Sequence, residues 1–181
     1  MAERIGARRY LEVGVRNPQD NFDKITCLER TAVDPKPCSL PAFGKTWELF
    51  CMTSDQFFTA YPVRRFDLIF VDGDHTAEQV SADVRNALRR IDLSGCIVMH
   101  DCNPPDERHT SGALCGTAYR AFLELRQDRT LTCLCVDCDY GVGVVRMGAN
   151  PNPLQFPKEY TYADFADHRA EWLNLIEPEN F

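Results

Sequence analysis

Phe66-Asp-Leu-Ile-Phe-Val-Asp-Gly-Asp-His75 is the stretch whose reading decides the fold. Phe66 to Val71 is a nearly unbroken apolar run rich in aromatic and β-branched residues, the pattern of a strand buried on both faces inside a parallel sheet. It ends abruptly in polar chemistry. Asp72, Asp74 and His75 surround a turn at Gly73, and Thr76 is placed to cap a helix whose apolar positions Val80, Val84, Leu88 and Ile91 fall at helical spacing. Open α/β sheets bind their ligands at carboxyl ends of this kind.

A second unit of the same design follows. Ser94-Gly95 reads as a turn, Cys96 to Met99 as a short strand, and His100-Asp101 as its polar end before Cys102-Asn-Pro-Pro105 breaks the chain. In a right-handed crossover the carboxyl ends of neighbouring parallel strands lie side by side, about 5 Å apart. Asp72, Asp74, His75, His100 and Asp101 are therefore expected to form one cluster.

Upstream, Arg9 to Val15 reads as the first strand with Gly14 as its exit, followed by a polar loop from Arg16 to Asn21 and a short helical stretch through Phe22 and Ile25. Glu29 to Asp34 is a strand ending in an acid before Pro35 and Pro37, the third occurrence of strand-then-acid. Cys38 to Lys45 is loop-like, Trp47 to Met52 a strand, and Thr53-Ser-Asp55 the cap of a helix carrying Phe57, Phe58 and Tyr61. Downstream, residues 102 to 115 form a polar loop long enough to be a lid or substrate loop. Thr117 to Gln127 is an amphipathic helix, and Leu131 to Val136 and Val142 to Met147 are joined by a turn short enough for an antiparallel hairpin. A Pro-rich coil from Asn150 to Pro157 precedes a helix from Tyr162 to Ile176, with Phe165, Trp172, Leu173 and Ile176 available for docking. Residues 1–150 read as one domain and 151–181 as its coil and docking helix.

The composition bounds the function. A formal charge of −7 argues against an extended nucleic-acid surface, and 44% hydrophobic with 26% charged residues suits an ordinary globular domain. No window is apolar for the length a membrane span needs, and the N-terminus lacks the apolar core of a secretory signal, so a cytoplasmic protein is expected. Nine cysteines are many, yet Cys27, Cys51, Cys96, Cys133 and Cys135 lie in or beside strand-like runs, where a free thiol behaves as a small hydrophobe. Cys133, Cys135 and Cys138 lack the second pair a structural zinc site uses. His109 and His168 read as surface residues.

Taken together, Tyr10 to Val15, Val33-Asp-Pro35, Met52 to Asp55, Phe66 to His75 and Ile97 to Asp101 resemble the class I S-adenosylmethionine-dependent methyltransferases, in particular the small sugar and natural-product O-methyltransferase-like group. The resemblance runs over roughly residues 9 to 147. It implies an α/β fold: a Rossmann-like open twisted sheet of seven strands, order 3-2-1-4-5-7-6, the last strand antiparallel, with helices on both faces. It also implies that Glu12 and Gly14 open the cofactor turn, that Asp34 holds the ribose hydroxyls, and that Ser54, Asp55 and Asp72 contribute to cofactor binding. Arg16 and Pro18 stand where the family has its later glycines. In metal-dependent members the equivalents of Asp72, His100 and Asp101 hold a divalent cation, Mg²⁺ or Mn²⁺, and Asp74 or His75 takes the proton of the acceptor hydroxyl. Asp72 and Asp74 also suit a plain structural role at a turn and a helix start, but Asp72 and Asp101 both end buried strands on one edge, which favours function. The implied acceptor is a small molecule or saccharide, without nucleic acid or membrane, and its pocket is expected to be open, completed by the 102–115 loop, or supplied by a second subunit in a homodimer. A non-catalytic binding module on the same fold is the alternative; a metal-dependent hydrolase or hydroxylase is weaker, for want of a nucleophile elbow or facial His-x-Asp pair.

Overall fold

The computed structural model describes residues 1–40, 46–112 and 114–181. Pro41 to Lys45 of the expected loop, and Ala113 of the 102–115 loop, lie outside the described residues. Among the described residues no helix is long and apolar enough to cross a membrane.

The strands are β1 (Arg9–Val13), β2 (Glu29–Val33), β3 (Trp47–Phe50), β4 (Phe66–Val71), β5 (Ile91–Met99), β6 (Leu131–Val136), β7 (Val142–Met147) and β8 (Leu175–Ile176). The helices are α1 (Ala2–Ile5), α2 (Ser54–Ala60), α3 (Ala77–Leu88), α4 (Ala118–Arg126) and α5 (Tyr162–Leu173). The sheet order is β3-β2-β1-β4-β5-β7-β6-β8. This is the Rossmann-like order expected, with an eighth strand added beyond the hairpin. By its internal contacts the chain forms two units, Met1–Asp74 with Ala82–Ile97, and His75–Ser81 with Val98–Phe181.

In the first unit β1 pairs in parallel with both β2 and β4, and β2 with β3. The register sets Tyr10 beside Arg30 and Arg30 beside Trp47, so these side chains share one face. Phe50, three residues past Trp47, belongs to the other face and packs on Phe57 of α2 with ring centroids 5.1 Å apart. The expected cap of α2 is present: Thr53 accepts from the Gln56 N–H while the Gln56 side chain accepts from the Thr53 N–H. Opposite α2, the short helical stretch expected is a 3₁₀ turn at Phe22–Lys24. Phe22 is fully buried against Tyr10, and the buried Arg30 guanidinium lies 4.9 Å over its ring while Nη1 donates to the Phe22 carbonyl at 2.9 Å.

Ser94 and Gly95 are not a turn: β5 runs through them from Ile91, which therefore belongs to the strand rather than to α3. A Cβ on Gly95 would lie 2.7 Å from the Asp67 carbonyl oxygen, so glycine serves close backbone approach inside a strand.

In the second unit β6 and β7 form the expected antiparallel hairpin, Leu131 opposite Met147 and Val136 opposite Val142. α4 and α5 pack through Tyr119 and Phe165, whose rings are 4.7 Å apart. The terminal helix stops earlier than expected. Asn174 adopts a left-handed conformation at φ 47 and ends α5, freeing Leu175 and Ile176 to pair in parallel with Cys135 and Val136. Arg126, buried at the end of α4, donates to the carbonyls of Glu171, Trp172 and Cys133 and so neutralises the carboxyl end of α5.

All nine cysteines are free. Cys27, Cys96, Cys133 and Cys135 are buried as expected of small hydrophobes, but Cys51 is exposed because β3 has already ended at Phe50. Burial pushes the Cys133 thiol up to about 12, which keeps it an inert packing group.

Candidate active site

The carboxyl edge of the first unit is built largely from backbone. Gly14 has φ 85, and a Cβ there would lie 2.1 Å from the Asp72 carbonyl oxygen and 2.4 Å from the Gly73 Cα. No other residue fits. The Gly14 N–H donates to the Val33 carbonyl and the Asp72 N–H to the Val13 carbonyl, each at 2.9 Å, so the exits of β1, β2 and β4 are locked together.

Arg16, where the resembling family carries glycine, takes a left-handed conformation at φ 45. The turn keeps the geometry a glycine would give it, at a conformational cost of about 1 kcal/mol. That geometry aims the Arg16 N–H at Asp34 Oδ2, 2.7 Å away, while the Lys36 N–H reaches Asp34 Oδ1 at 2.6 Å. Asp34 is thereby fixed and nearly buried, 8% exposed. Each carboxylate oxygen accepts one amide and keeps a second lone pair, the capacity needed to receive a vicinal diol.

Glu12 is almost completely buried, accepting hydrogen bonds from the Tyr10 hydroxyl and from Asn21 Nδ2 at 2.8 Å. Burial pushes its carboxyl up to about 7; Tyr10 and Asn21 pull the other way, and the Asp72 and Asp23 charges add to the rise. Its visible work is to tie the loop at Asn21 to the end of β1. Ser54 is buried in the first turn of α2, Asp55 is exposed beside it, and Asp74 is exposed after the β4 exit.

The second unit carries the acid and imidazole groups. His75 Nδ1 lies 3.2 Å from Asp101 Oδ2, and His100 Nδ1 lies 3.3 Å from Asp101 Oδ1. Of the five residues expected to cluster, His75, His100 and Asp101 are together in this unit, while Asp72 and Asp74 belong to the first. His100 Nε2 reaches Asp139 Oδ2 at 3.2 Å, so both its ring nitrogens face carboxylates. His75 Nδ1 also meets the Leu114 carbonyl. A carbonyl only accepts, so Nδ1 carries the proton and the basic nitrogen of the neutral ring is Nε2.

The loop end is closed onto His75: the Thr117 N–H donates to the His75 carbonyl at 2.8 Å, and Gly116, at φ 57, has no room for a Cβ, which would lie 2.4 Å from that same oxygen. Asp101 is 4% exposed and left-handed at φ 60. Burial first, then the Asp101 charge, pushes the neighbouring Cys115 thiol up to about 12.

Asp139, Asn103 and Arg169 escaped the sequence reading. Asp139 and Tyr140 are left-handed at φ 45 and 61, ahead of Gly141 at φ 89. The Cys138-Asp-Tyr-Gly141 turn signals a bend but not which strand end its acid will meet.

Residues 15–102 match a family described as a methyltransferase domain, a span that includes Asp34, the Asp72–His75 turn and His100-Asp101. No curated protein matches the chain in sequence. Among solved structures, the chain is similar to a Podospora anserina methyltransferase bound to S-adenosylhomocysteine, at TM-score 0.62 and 17% identity over 81% of this chain and 74% of that one. It is similar at TM-score 0.62 and 11% identity to a Bacillus cereus O-methyltransferase in complex with S-adenosylhomocysteine, covering 81% and 76%. A Streptomyces achromogenes O-methyltransferase of tomaymycin synthesis, in complex with S-adenosylmethionine, follows at TM-score 0.59 and 13% identity over 82% and 76%. At these identities the likeness shows the fold. Sheet order and structural likeness agree on the fold: this chain has the Rossmann-like fold of the class I methyltransferases, and its residues 15–102 match a methyltransferase domain.

Proposed function

We propose that the protein transfers a methyl group from S-adenosylmethionine to a hydroxyl of a small molecule or saccharide. The observation that carries this reading is the methyltransferase-domain match over residues 15–102, which runs from just after Gly14 to the strand-end acids. Asp34 would hold the ribose hydroxyls, Gly14 would leave room for the cofactor's methionine part, and Ser54 and Asp55 would stand near the adenine. Glu12 would keep the turn in shape, and Asp72 would complete the cofactor edge.

When bound, S-adenosylmethionine supplies a methyl on a sulfonium. The chain's own residues would then have to receive the proton that the acceptor hydroxyl gives up on methylation. His75 is suited to take it at Nε2, because Asp101 and the Leu114 carbonyl hold Nδ1 protonated and Asp101 stabilises the resulting imidazolium. The exposed Asp74 is the second proton acceptor of the reading.

The residue types also fit a divalent cation. Asp72, His100 and Asp101 are the residues that would hold it by the resemblance, and mixed carboxylate and imidazole ligation favours Mn²⁺ over Mg²⁺. His100 also has its two ring nitrogens facing the carboxylates of Asp101 and Asp139. Such an ion would lower the pKa of the acceptor hydroxyl.

The test is transfer of labelled methyl from S-adenosylmethionine to a panel of phenols, sugars and nucleotide sugars, with and without Mn²⁺. Product that disappears in a folded Asp34→Ala variant supports the reading; no product and no cofactor binding in the wild-type protein overturn it. Light scattering tests the proposed homodimer, which a monomeric mass would exclude.

A further inference from the structure

The polar end of β5 is held in place by a residue far from it in sequence. Arg169, in the last half of α5, donates through Nη1 to Asn103 Oδ1 at 2.6 Å and through Nη2 to the Tyr162 hydroxyl at 2.7 Å. The Tyr162 hydroxyl in turn donates to the Pro104 carbonyl at 3.0 Å. Its guanidinium also lies 5.2 Å over the Phe165 ring, which fixes the plane of the fork.

Asn103 is the hub. It is 7% exposed, and its Nδ2 donates to Asp137 Oδ1 at 2.9 Å. Its N–H donates to the Tyr140 carbonyl at 2.7 Å, and the Cys102 N–H to the Gly141 carbonyl at 3.0 Å. The segment after β5 and the β6–β7 turn are thus zipped together by three hydrogen bonds, and Gly141 lies so close that a Cβ there would sit 2.3 Å from Asn103 Cβ.

The zipped segments present the reacting groups. His100 and Asp101 directly precede Cys102, and Asp139 directly precedes Tyr140. Asp101, Asp139 and Tyr140 all hold left-handed backbone that residues with side chains adopt only when their surroundings over-determine it. Two of these three strained residues carry carboxylates that face His100.

We infer that Arg169 is a positioning residue for methyl transfer: through Asn103 it holds the β5 end and the β6–β7 turn so that Asp101 and Asp139 bracket His100 and Asp101 keeps its contact with His75. This rests on the proposed methyltransferase function for its catalytic consequence, while the mechanical coupling stands apart from it. Arg169 itself touches neither imidazole.

The experiment follows the histidine ring resonances by ¹H–¹³C NMR and the transfer kinetics in Arg169→Ala, Arg169→Lys, Asn103→Ala and the double variant. The chain has four histidines, so assignment by single His→Gln substitutions is direct. Ala170→Gly, an exposed substitution on α5 that leaves the Asn103 contact intact, controls for loosening of the helix. The expected result in Arg169→Ala is displaced His100 and His75 signals and kcat lowered about tenfold, with the KM for S-adenosylmethionine within about twofold. Asn103→Ala should match it, the double variant should be no worse than either, and Arg169→Lys should recover part of the loss. Unmoved His100 and His75 signals, additive losses in the double variant, or the same displacement in Ala170→Gly would overturn the inference. A wild-type protein that binds no S-adenosylhomocysteine would defeat the functional reading instead, and the NMR comparison would still decide the coupling.

Discussion

The two polar edges of this molecule are made in different ways. In the first unit the geometry is set by backbone: Gly14 at φ 85, Arg16 at φ 45, and two amides that fix Asp34. In the second it is set by side chains reaching across the fold, from His75 and His100 through Asp101 and Asp139 to Asn103 and Arg169. Outside the Asp34 carboxylate that it presents, a backbone-built edge tolerates side-chain change so long as φ and ψ survive, whereas a side-chain network fails at any member. In the proposed function the first edge would hold the cofactor and the second would handle the proton.

The sharpest way to break this assignment is Asp101→Ala. It removes the carboxylate shared by both imidazoles and should lower transfer by about a thousandfold. Steady-state kinetics beside a calorimetric titration check it: if affinity for S-adenosylhomocysteine collapses along with turnover, the two edges are not separate.

Glu12 probes the first edge through pH. Its folded pKa of about 7 lies above the ordinary 4.5, so the folded protein binds a proton more tightly than the unfolded chain. The stabilisation is full below about pH 4.5 and is lost as pH rises through about 7, to a total of about 3 kcal/mol. Urea unfolding across that range should show the decline in the wild-type protein and a flatter profile in Glu12→Gln. A wild-type stability that rises from pH 5 to 8, with the same rise in the variant, would contradict the buried-carboxyl account.

Arg16→Gly should do least. It relieves left-handed strain but loosens the unfolded chain, for a net change under about 1 kcal/mol, and S-adenosylhomocysteine affinity should stay within about twofold. A large affinity loss in calorimetry would show that the guanidinium itself takes part, and the edge would no longer count as backbone-built.

The same contrast explains what the sequence could disclose. Gly14, Asp34 and the Asp72–His75 turn sit in short motifs whose partners are near in the chain or one strand away, so their residue types alone point to their places. Asp34, for instance, bonds Lys36 two residues on. The Asn103–Arg169 contact spans 66 residues and the Asn103–Asp137 contact 34. Nothing local distinguishes Arg169 from any arginine on a solvated helix face. The end of α5 was missed for a related reason: Leu173, Leu175 and Ile176 continue a helical apolar pattern, and only the left-handed Asn174 and the pairing with β6 turn the last two into β8. Ser94-Gly95 misled in the opposite direction, since a turn dipeptide sits mid-strand where the neighbouring backbone needs room.

The most direct test is to titrate S-adenosylhomocysteine into the wild-type protein, Asp34→Ala and Asp101→Ala by calorimetry. The account predicts binding by the wild-type protein, weakened about a hundredfold in Asp34→Ala, a loss of about 3 kcal/mol, and changed less than about threefold in Asp101→Ala. Absence of binding to the wild-type protein, or equal losses in the two variants, would contradict it.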